Sequence, residues 1–500
     1  KLWREIGWKS FCRQFFRRRG SMEESSLKEK TAKGLFWGGF SNGMQQLLNL
    51  IFGIALARIL DAEDYGMIGM LSIFSLIAST LQESGFTAAL ANKKNISHED
   101  YNAVFWFSLF TSGLLYILLF FLSPYIAEFY HTPALIPLAR YTFLGFFIAS
   151  LGIAHNAYLF RNLKVKQKAF IQLTGLTLSN ITGVTLALCG MAYWGIATQG
   201  LVYVTSNTIL FWRYSGWKPT LHISFKPLKS MINFSCKILI TNIFSNINNN
   251  MLTVILGRFY SQEEVGYFNQ ANKWTSMGYS TILGTINGIA QPVLRNVSED
   301  TERQCRVFRK MLRFTAFISF PALFGLSLIA PELITITITD KWNESAIIMQ
   351  ILCIGSAFLP IQNLYSNLVI SKGKSDIFMW NTIFLGIIQI ATALLCYPYG
   401  IRTMIFAYIS INISWLFVWH YFIWKEIHLT LWDALKDVVP FGIIAVSCMG
   451  AAYFLTRSID NLYLILTAKI AIAAGLYIII MQLSKSATFK EVINYLSKKK

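Results

Sequence analysis

The chain has 500 residues, of which 54% are hydrophobic and only 14% charged. Soluble proteins carry about 25% charged residues, so the three or so soluble domains that length alone suggests could not be coated. Apolar runs recur from Gly34 to Met481, which reads as an all-α integral membrane protein and excludes a soluble enzyme, a disordered chain and a secreted disulfide scaffold.

A membrane helix needs about 20 apolar residues to cross about 30 Å of hydrocarbon. Fourteen such segments are expected, at 34–58, 66–91, 101–122, 135–159, 169–189, 193–213, 230–256, 267–292, 306–329, 344–370, 376–396, 401–424, 437–456 and 461–482. An even number puts both ends of the chain on one face. The tails and loops of that face carry 35 of the 44 Lys and Arg residues. The other face carries six: Arg58, Arg140, Arg258, Lys341, Arg402 and Arg457. Three more, Lys237, Lys273 and Lys469, fall inside segments. The alternation follows the positive-inside rule and places both termini in the cytoplasm. It also accounts for the net charge of +19 without nucleic acid as a partner.

Residues 1–33 form a basic cytoplasmic segment. The stretch 1–21 has no apolar core of a signal peptide. Either Met22 is the natural start or 1–21 is a basic interfacial helix. Residues 485–500, with Phe489, Val492, Ile493 and Leu496 among lysines, read as a surface-lying amphipathic helix. The seven cysteines make no CxxC or metal-like spacing and read as small buried hydrophobes, so no metal site is expected. No GxxxxGK[ST], HExxH or GxSxG motif is present. External loops reach only about 12 residues, at 123–134 and 330–343, so an independent catalytic domain has no room.

The chain repeats itself. ARILDAEDYGMIG at 57–69 aligns with GRFYSQEEVGYFN at 257–269, an offset of 200. Arg58 meets Arg258, Asp64 meets Glu264 and Gly66 meets Gly266; upstream, Asn42, Gln46 and Asn49 meet Asn242, Asn246 and Asn249. NISHED at 95–100 has its counterpart in NVSED at 296–300. The offset spans six segments, an even number, so the copies share orientation and imply a pseudo-twofold axis along the membrane normal. The expected organisation is an N-lobe at 34–213, a cytoplasmic linker at 214–229, a C-lobe at 230–424, two further helices at 425–484 and the tail. Two like-oriented lobes point to a transporter that rocks about a midplane site; duplication without transport is the competing reading.

Polar residues within segments should face protein or water. They concentrate on the first two segments of each lobe. The first carries Asn42, Gln46 and Asn49, and the second carries Gln82 and Glu83. The seventh carries Asn242, Asn246, Asn249 and Asn250, and the eighth carries Asn269, Gln270, Lys273, Asn287 and Gln291. These residues are expected to line a hydrated cleft; interhelical hydrogen bonding is the alternative for each. Glu83 lies near the bilayer centre, as the coupling-ion site or as half of a structural ion pair. Lys273 would hold an anionic substrate group. Lys237 and Lys469 read as snorkelling lysines. Arg58 and Arg258, each followed by acidic residues that include Asp64 and Glu264, would close an outer gate by charge pairing or form a solvated rim. His155 reads as a packed histidine. The dense basic run at 293–313 suits anionic headgroups or a pyrophosphate-linked lipid, and topology alone also explains it.

KTAKGLFWGGF, GIALARILDAEDYGMIGM, QESGFTAALANKK, GRFYSQEEVGYFNQANKW, FISFPALFGLSLIAPELI and DKWNESAIIMQILCI resemble the Wzx-type, colanic-acid-exporter-like branch of the multidrug/oligosaccharidyl-lipid/polysaccharide exporter superfamily. The likeness spans about 25–485. It implies fourteen helices in two six-helix lobes that alternate between inward-open and outward-open states. It implies a flippase that moves an undecaprenyl-pyrophosphate-linked oligosaccharide across the bacterial inner membrane. It further implies ion antiport by a proton or sodium ion, no other cofactor, and a polysaccharide polymerase and glycosyltransferases as partners. One departure stands out: where the family has Arg in YxNRA, this chain has Gln270, which leaves Lys273 as the nearer phosphate ligand. A multidrug or small-cation exporter of the same superfamily is the alternative, and a membrane glycan polymerase or ligase a more distant one.

Overall fold

A computed structural model describes residues 22–83, 90, 96–162, 164–484, 486 and 488–491. The side chains of 22–36, 38, 82–83, 229–238, 240–241, 288 and 375 lie outside that description. The described residues form α-helices and short 3-10 turns, with no strand among them. The first six helices are α1 (Met22–Ile59), α2 (Ala62–Glu83), α3 (His98–Phe129), α4 (Leu135–Arg161), α5 (Val165–Leu188) and α6 (Ala192–Ser215). Then come α7 (Lys229–Phe259), α8 (Gln262–Asn296), α9 (Thr301–Ile338), α10 (Asn343–Ser356), α11 (Leu359–Ser371), α12 (Ser375–Cys396), α13 (Ile401–Ile427), α14 (Leu431–Thr456) and α15 (Leu462–Leu483).

Ten helical stretches among the described residues are long and apolar enough to cross a membrane. Helices α1, α6, α7 and α8 are long enough, with 38, 24, 31 and 35 residues, but are more polar. Outward faces of α3, α12, α14 and α15 present exposed Leu114, Phe121, Leu395, Phe454 and Leu483. A soluble protein rarely exposes apolar surface on this scale; hydrocarbon tolerates it. The chain is thus a multi-pass, all-α membrane protein.

Polar runs start the helices. Ser97 N–H donates to Asp100 Oδ2 at 2.9 Å at the start of α3, and Asp300 Oδ1 accepts from Arg303 N–H at 2.9 Å at the start of α9. The matching NISHED and NVSED runs are therefore helix caps, each satisfying orphan backbone donors.

Proline explains where the helices depart from the expected segments. A helical proline frees the carbonyl four residues before it, and in hydrocarbon that carbonyl needs a new donor. Pro331 frees Ser327 O, which accepts from Gln350 Nε2 of α10 at 3.2 Å. Pro321 frees Phe317 O, which accepts from Tyr477 Oη of α15 at 3.0 Å. Pro124 frees Phe120 O, which accepts from Ser123 Oγ at 2.7 Å. With these carbonyls satisfied, α9 runs through Pro331 to Ile338, so most of the expected loop 330–343 is helix. The expected segment 344–370 is instead two helices, broken after Gly355 and Ser356 and restarted at Leu359–Pro360. The carbonyl of Ala357 in that break accepts from Ser319 Oγ at 2.6 Å.

Helices α1, α3, α4, α5 and α6 pack chiefly among themselves, and α14 and α15 lie against α9. Helix α2 crosses to α7 and α8. The largest apolar core runs through that crossing, with Met67, Met70 and Leu71 of α2 against Val265, Phe268 and Ala271 of α8. Of the expected tail helix, only 486 and 488–491 are described. The second stretch is helical, with Glu491 paired to Lys310 at 2.8 Å.

Candidate functional site

At the basic-poor face the α2–α8 crossing is as close as two backbones allow. A Cβ on Gly66 would run into the carbonyl oxygen of Gln262, and one on Gly266 into the carbonyl oxygen of Ala62. The contact is reciprocal in the 200-residue offset, and only glycine permits it. Two arginines secure the same face reciprocally. Arg58 donates to Thr337 O at 2.7 Å and Ile336 O at 2.8 Å, at the end of α9. Arg258 donates to Phe129 O at 2.6 Å, at the end of α3, and meets His131 Nε2. A guanidinium at a helix C-terminus meets unsatisfied carbonyls and the negative end of the dipole. Lys341 bonds Leu60 O at 2.7 Å and pairs with Asp61 at 3.1 Å, and Trp342 donates to Ala57 O at 2.8 Å.

The pairing expected for Arg58, Arg258, Asp64 and Glu264 is thereby corrected. The carboxylates turn back to cap their own helices. Asp64 Oδ2 accepts from Asp61 N–H at 3.1 Å, and Glu264 Oε2 from Ser261 N–H at 3.1 Å. The arginines bind carbonyls instead, because two helix ends stand within their reach.

One turn deeper the seam is dry. Gln270 is buried with an unpartnered Nε2, and Asn269 packs its Nδ2 against Gly69 with no acceptor among the described residues. Both were expected in the cleft; the close crossing of α2 and α8 seals them in. Asn246 Nδ2 donates to Thr80 Oγ1 at 2.7 Å, joining α7 to α2, and Asn250 Nδ2 donates to Asn246 O at 2.9 Å. Lys273 leaves the dry zone on α8 and reaches α1, its Nζ 2.9 Å from where a Cβ on Gly53 would stand. It is half-buried, with no ion pair or hydrogen bond among the described residues. Gly53 makes room for that ammonium.

Toward the basic-rich face both helices turn polar and open. Asn42 and Gln46 of α1 are exposed and Asn49 is half-buried; Asn242 of α7 and Ser280, Gly284, Asn287 and Gln291 of α8 are exposed. Nothing lies within 4 Å of where Cβ atoms on Gly39, Gly43 or Gly284 would stand. Asn287 accepts from Asn367 Nδ2 at 3.3 Å. Glu83 closes α2, and its side chain and that of Gln82 lie outside the described residues, as does that of Lys237.

Next to this opening a cavity of about 630 Å³ lies among α7, α8 and α10–α13. Asn249 and Asn250, expected in a cleft between the lobes, line this cavity within the second half of the chain. Asn248, Asn272, Gln362, Asn363, Asn381 and Asn412, none of them among the expected cleft residues, also line it. The last four lie singly or in pairs in apolar segments and read there as interhelical glue. Their recurrence over three consecutive segments was the available signal.

Lys469 is a second correction. It does not snorkel: it pairs with Glu332 at 2.5 Å, and both side chains are buried. Glu332 fell in an expected loop and became intramembrane only because α9 continues past Pro331. His155 is fully buried, its Nδ1 2.9 Å from Ser215 Oγ among Phe105, Trp212 and Trp217, a packed histidine. No cluster of three His, Cys, Asp or Glu residues that could hold a metal occurs among the described residues.

The chain is similar to the lipopolysaccharide biosynthesis protein WzxC of Escherichia coli (strain K12). The two are 24% identical over 358 residues, which cover 70% of this chain and 72% of that protein. It is similar to the teichuronic acid biosynthesis protein TuaB of Bacillus subtilis (strain 168), 22% identical over 361 residues, 71% of this chain and 74% of that one. Among solved structures it matches the lipid II flippase MurJ in an inward closed conformation, with a TM-score of 0.72. That match covers 92% of this chain and 100% of MurJ; at 16% identity it is a likeness of fold. The family described as polysaccharide biosynthesis protein matches residues 55–347, more than half of the sequence, and the chain belongs to that family.

Proposed function

We propose that this protein is a flippase that carries a lipid-linked oligosaccharide, the precursor of a bacterial surface polysaccharide, across the cytoplasmic membrane by alternating access. Fourteen spans are counted by adding α1, α6, α7 and α8 to the ten apolar stretches, with α10 and α11 sharing one span. The first six spans make one lobe and the next six the other; the last two flank α9. The reciprocal contacts of Gly66 with Gly266 and of Arg58 with Arg258 support that repeat. They are what a pseudo-twofold axis along the membrane normal produces. Positive-inside charge puts both termini in the cytoplasm of a bacterial inner membrane.

The observation that carries the reading is the asymmetry of the seam. It is sealed by backbone contact at the basic-poor end, and open and polar at the basic-rich end, with Lys273, unpaired among the described residues, where the two regimes meet. This is the arrangement of an inward-facing transporter before it loads an anionic head group. Arg58 and Arg258 act as the outer gate by holding the opposite lobe's helix ends. Lys273 meets the pyrophosphate, Asn246, Asn249 and Asn287 meet the polar head, and the lipid tail stays in the bilayer. Glu83 is the candidate for binding a coupling proton or sodium ion.

The test is flipping of an undecaprenyl-pyrophosphate-linked oligosaccharide in reconstituted vesicles, under imposed proton or sodium gradients. Lys273→Met should lower the initial rate at least tenfold, and Lys273→Arg should retain part of it. Full activity of Lys273→Met at equal reconstitution would remove the lysine from the site. Drug efflux by the wild type without any lipid flipping would replace the reading with that of a multidrug exporter.

A further inference from the structure

We propose that the cavity among α7, α8 and α10–α13 is a subsite for the uncharged sugar rings of the substrate, separate from the place where its phosphate is held. The inference rests on the flippase reading and adds a ligand class and a second site to it.

The walls argue for sugar. Nine of the 25 lining residues are carboxamides, and none carries a charge. A carboxamide offers two donors and an acceptor, the pattern that vicinal hydroxyls answer. Some of these amides are fixed by the protein: Asn248 Nδ2 donates to Thr382 O at 2.9 Å, and Gln389 Nε2 donates to Asn412 Oδ1 at 2.9 Å. Others are free. Asn249, Asn272 and Gln362 make no side-chain hydrogen bond among the described residues, and Asn249 and Asn272 are exposed. Tyr279, Phe378, Tyr408 and Trp419 also line it, giving apolar faces for the C–H faces of sugar rings. Trp419 is 3% exposed, and its indole N–H finds no acceptor among the described residues. Such a buried donor is costly unless a ligand or water answers it.

Other ligands fit less well. A phosphate would need a cation, and none lines the cavity. A coupling ion would draw on a carboxylate, also absent from the lining, and needs far less space; about 630 Å³ lies in the range of ~300–1,000 Å³ that takes small organic molecules. The two sites adjoin on one helix. Asn272 faces the cavity and the next residue, Lys273, faces Gly53 across the seam, as the 100° turn between neighbours on a helix requires. A pyrophosphate near Lys273 would leave its glycan one side chain away from the cavity.

The test uses the full chain in vesicles and lipid-linked glycans extracted from cells lacking the protein. These are supplied whole, or trimmed by exoglycosidases to the lipid-proximal sugar. Flipping rates are measured for both, and the readout is their ratio. Asn272→Leu and Gln362→Leu, which orphan no protein partner, should lower the ratio of whole to trimmed flipping at least fivefold. Lys273→Met should lower both rates and leave the ratio within twofold. An unchanged ratio in both cavity variants, whatever happens to the absolute rates, overturns the subsite and leaves the flippase reading standing. Failure of the wild type to flip either lipid overturns both. Monodisperse elution and an unchanged unfolding midpoint confirm that the leucine variants are folded.

Discussion

Two lysines at membrane depth show how neighbours decide what a charge does. Lys273 lies in the seam with no ion pair or hydrogen bond among the described residues, beside a glycine that gives it room. Lys469 has Glu332 at 2.5 Å and Leu328 O at 3.3 Å, so it is spent within the protein. Ions cost free energy in hydrocarbon and persist there when paired or wetted; the second lysine is paired, and the first stands half-buried beside Gly53. Removing one member of a buried pair leaves an uncompensated charge, at a cost of about 3–5 kcal/mol. Lys469→Met should therefore lower the unfolding midpoint in detergent markedly. Adding Glu332→Gln should recover more than half of that loss, since it removes the orphaned carboxylate. If Lys469→Met melts with the wild type, the pair contributes nothing to stability; if the double variant recovers none of the loss, the orphaned carboxylate is not its cause.

At the scale of the element, the glycine crossing and the prolines set the geometry, and they differ in how far sequence reveals them. Gly66 and Gly266 stand in register in the repeat, so their equivalence was legible; that they touch each other's partner helix was not, because a repeat gives no distances. Acidic residues after each arginine suggested charge pairing or a solvated rim. The helix starts claimed Asp64 and Glu264, a local demand that outweighs a distant one, and the arginines turned to carbonyls. Pro331 reads as a helix stop in isolation. Gln350, nineteen residues later, supplies the donor that lets α9 continue, and only tertiary structure reveals that. The amides on α11, α12 and α13 were invisible one at a time and form a cavity only when the three helices meet. The crossing itself makes a prediction. A valine at either glycine would push α2 and α8 apart and bias the protein away from the sealed state. A cysteine at Gln270, buried beneath the seal, should then react with an impermeant maleimide from the basic-poor face at least fivefold faster. Gly66→Val and Gly266→Val should do so to similar extents. A response to one valine and not the other would mean that the two contacts are not equivalent halves of one gate.

For the whole molecule, charge bias, repeat and seam give one orientation. The basic-rich ends of α1 and α8 are the open ones, and on the proposed topology they face the cytoplasm. The arrangement is self-consistent: on the proposed reading a polar opening beside basic loops attracts a pyrophosphate head, while the opposite face offers six basic residues, of which Arg58, Arg140, Arg258, Lys341 and Arg402 are engaged within the protein. Arg402 pairs with Glu344 at 2.7 Å. Two exposed positions decide the orientation. Leu221, between α6 and α7, belongs to the basic-rich face, and Tyr399, between α12 and α13, to the other. In a variant stripped of native cysteines, Tyr399→Cys should be labelled by an impermeant maleimide on intact spheroplasts. Leu221→Cys should be labelled only after lysis. The reverse pattern would turn the open cleft toward the cell exterior and make import, with loading from the outer leaflet, the direction that this seam serves.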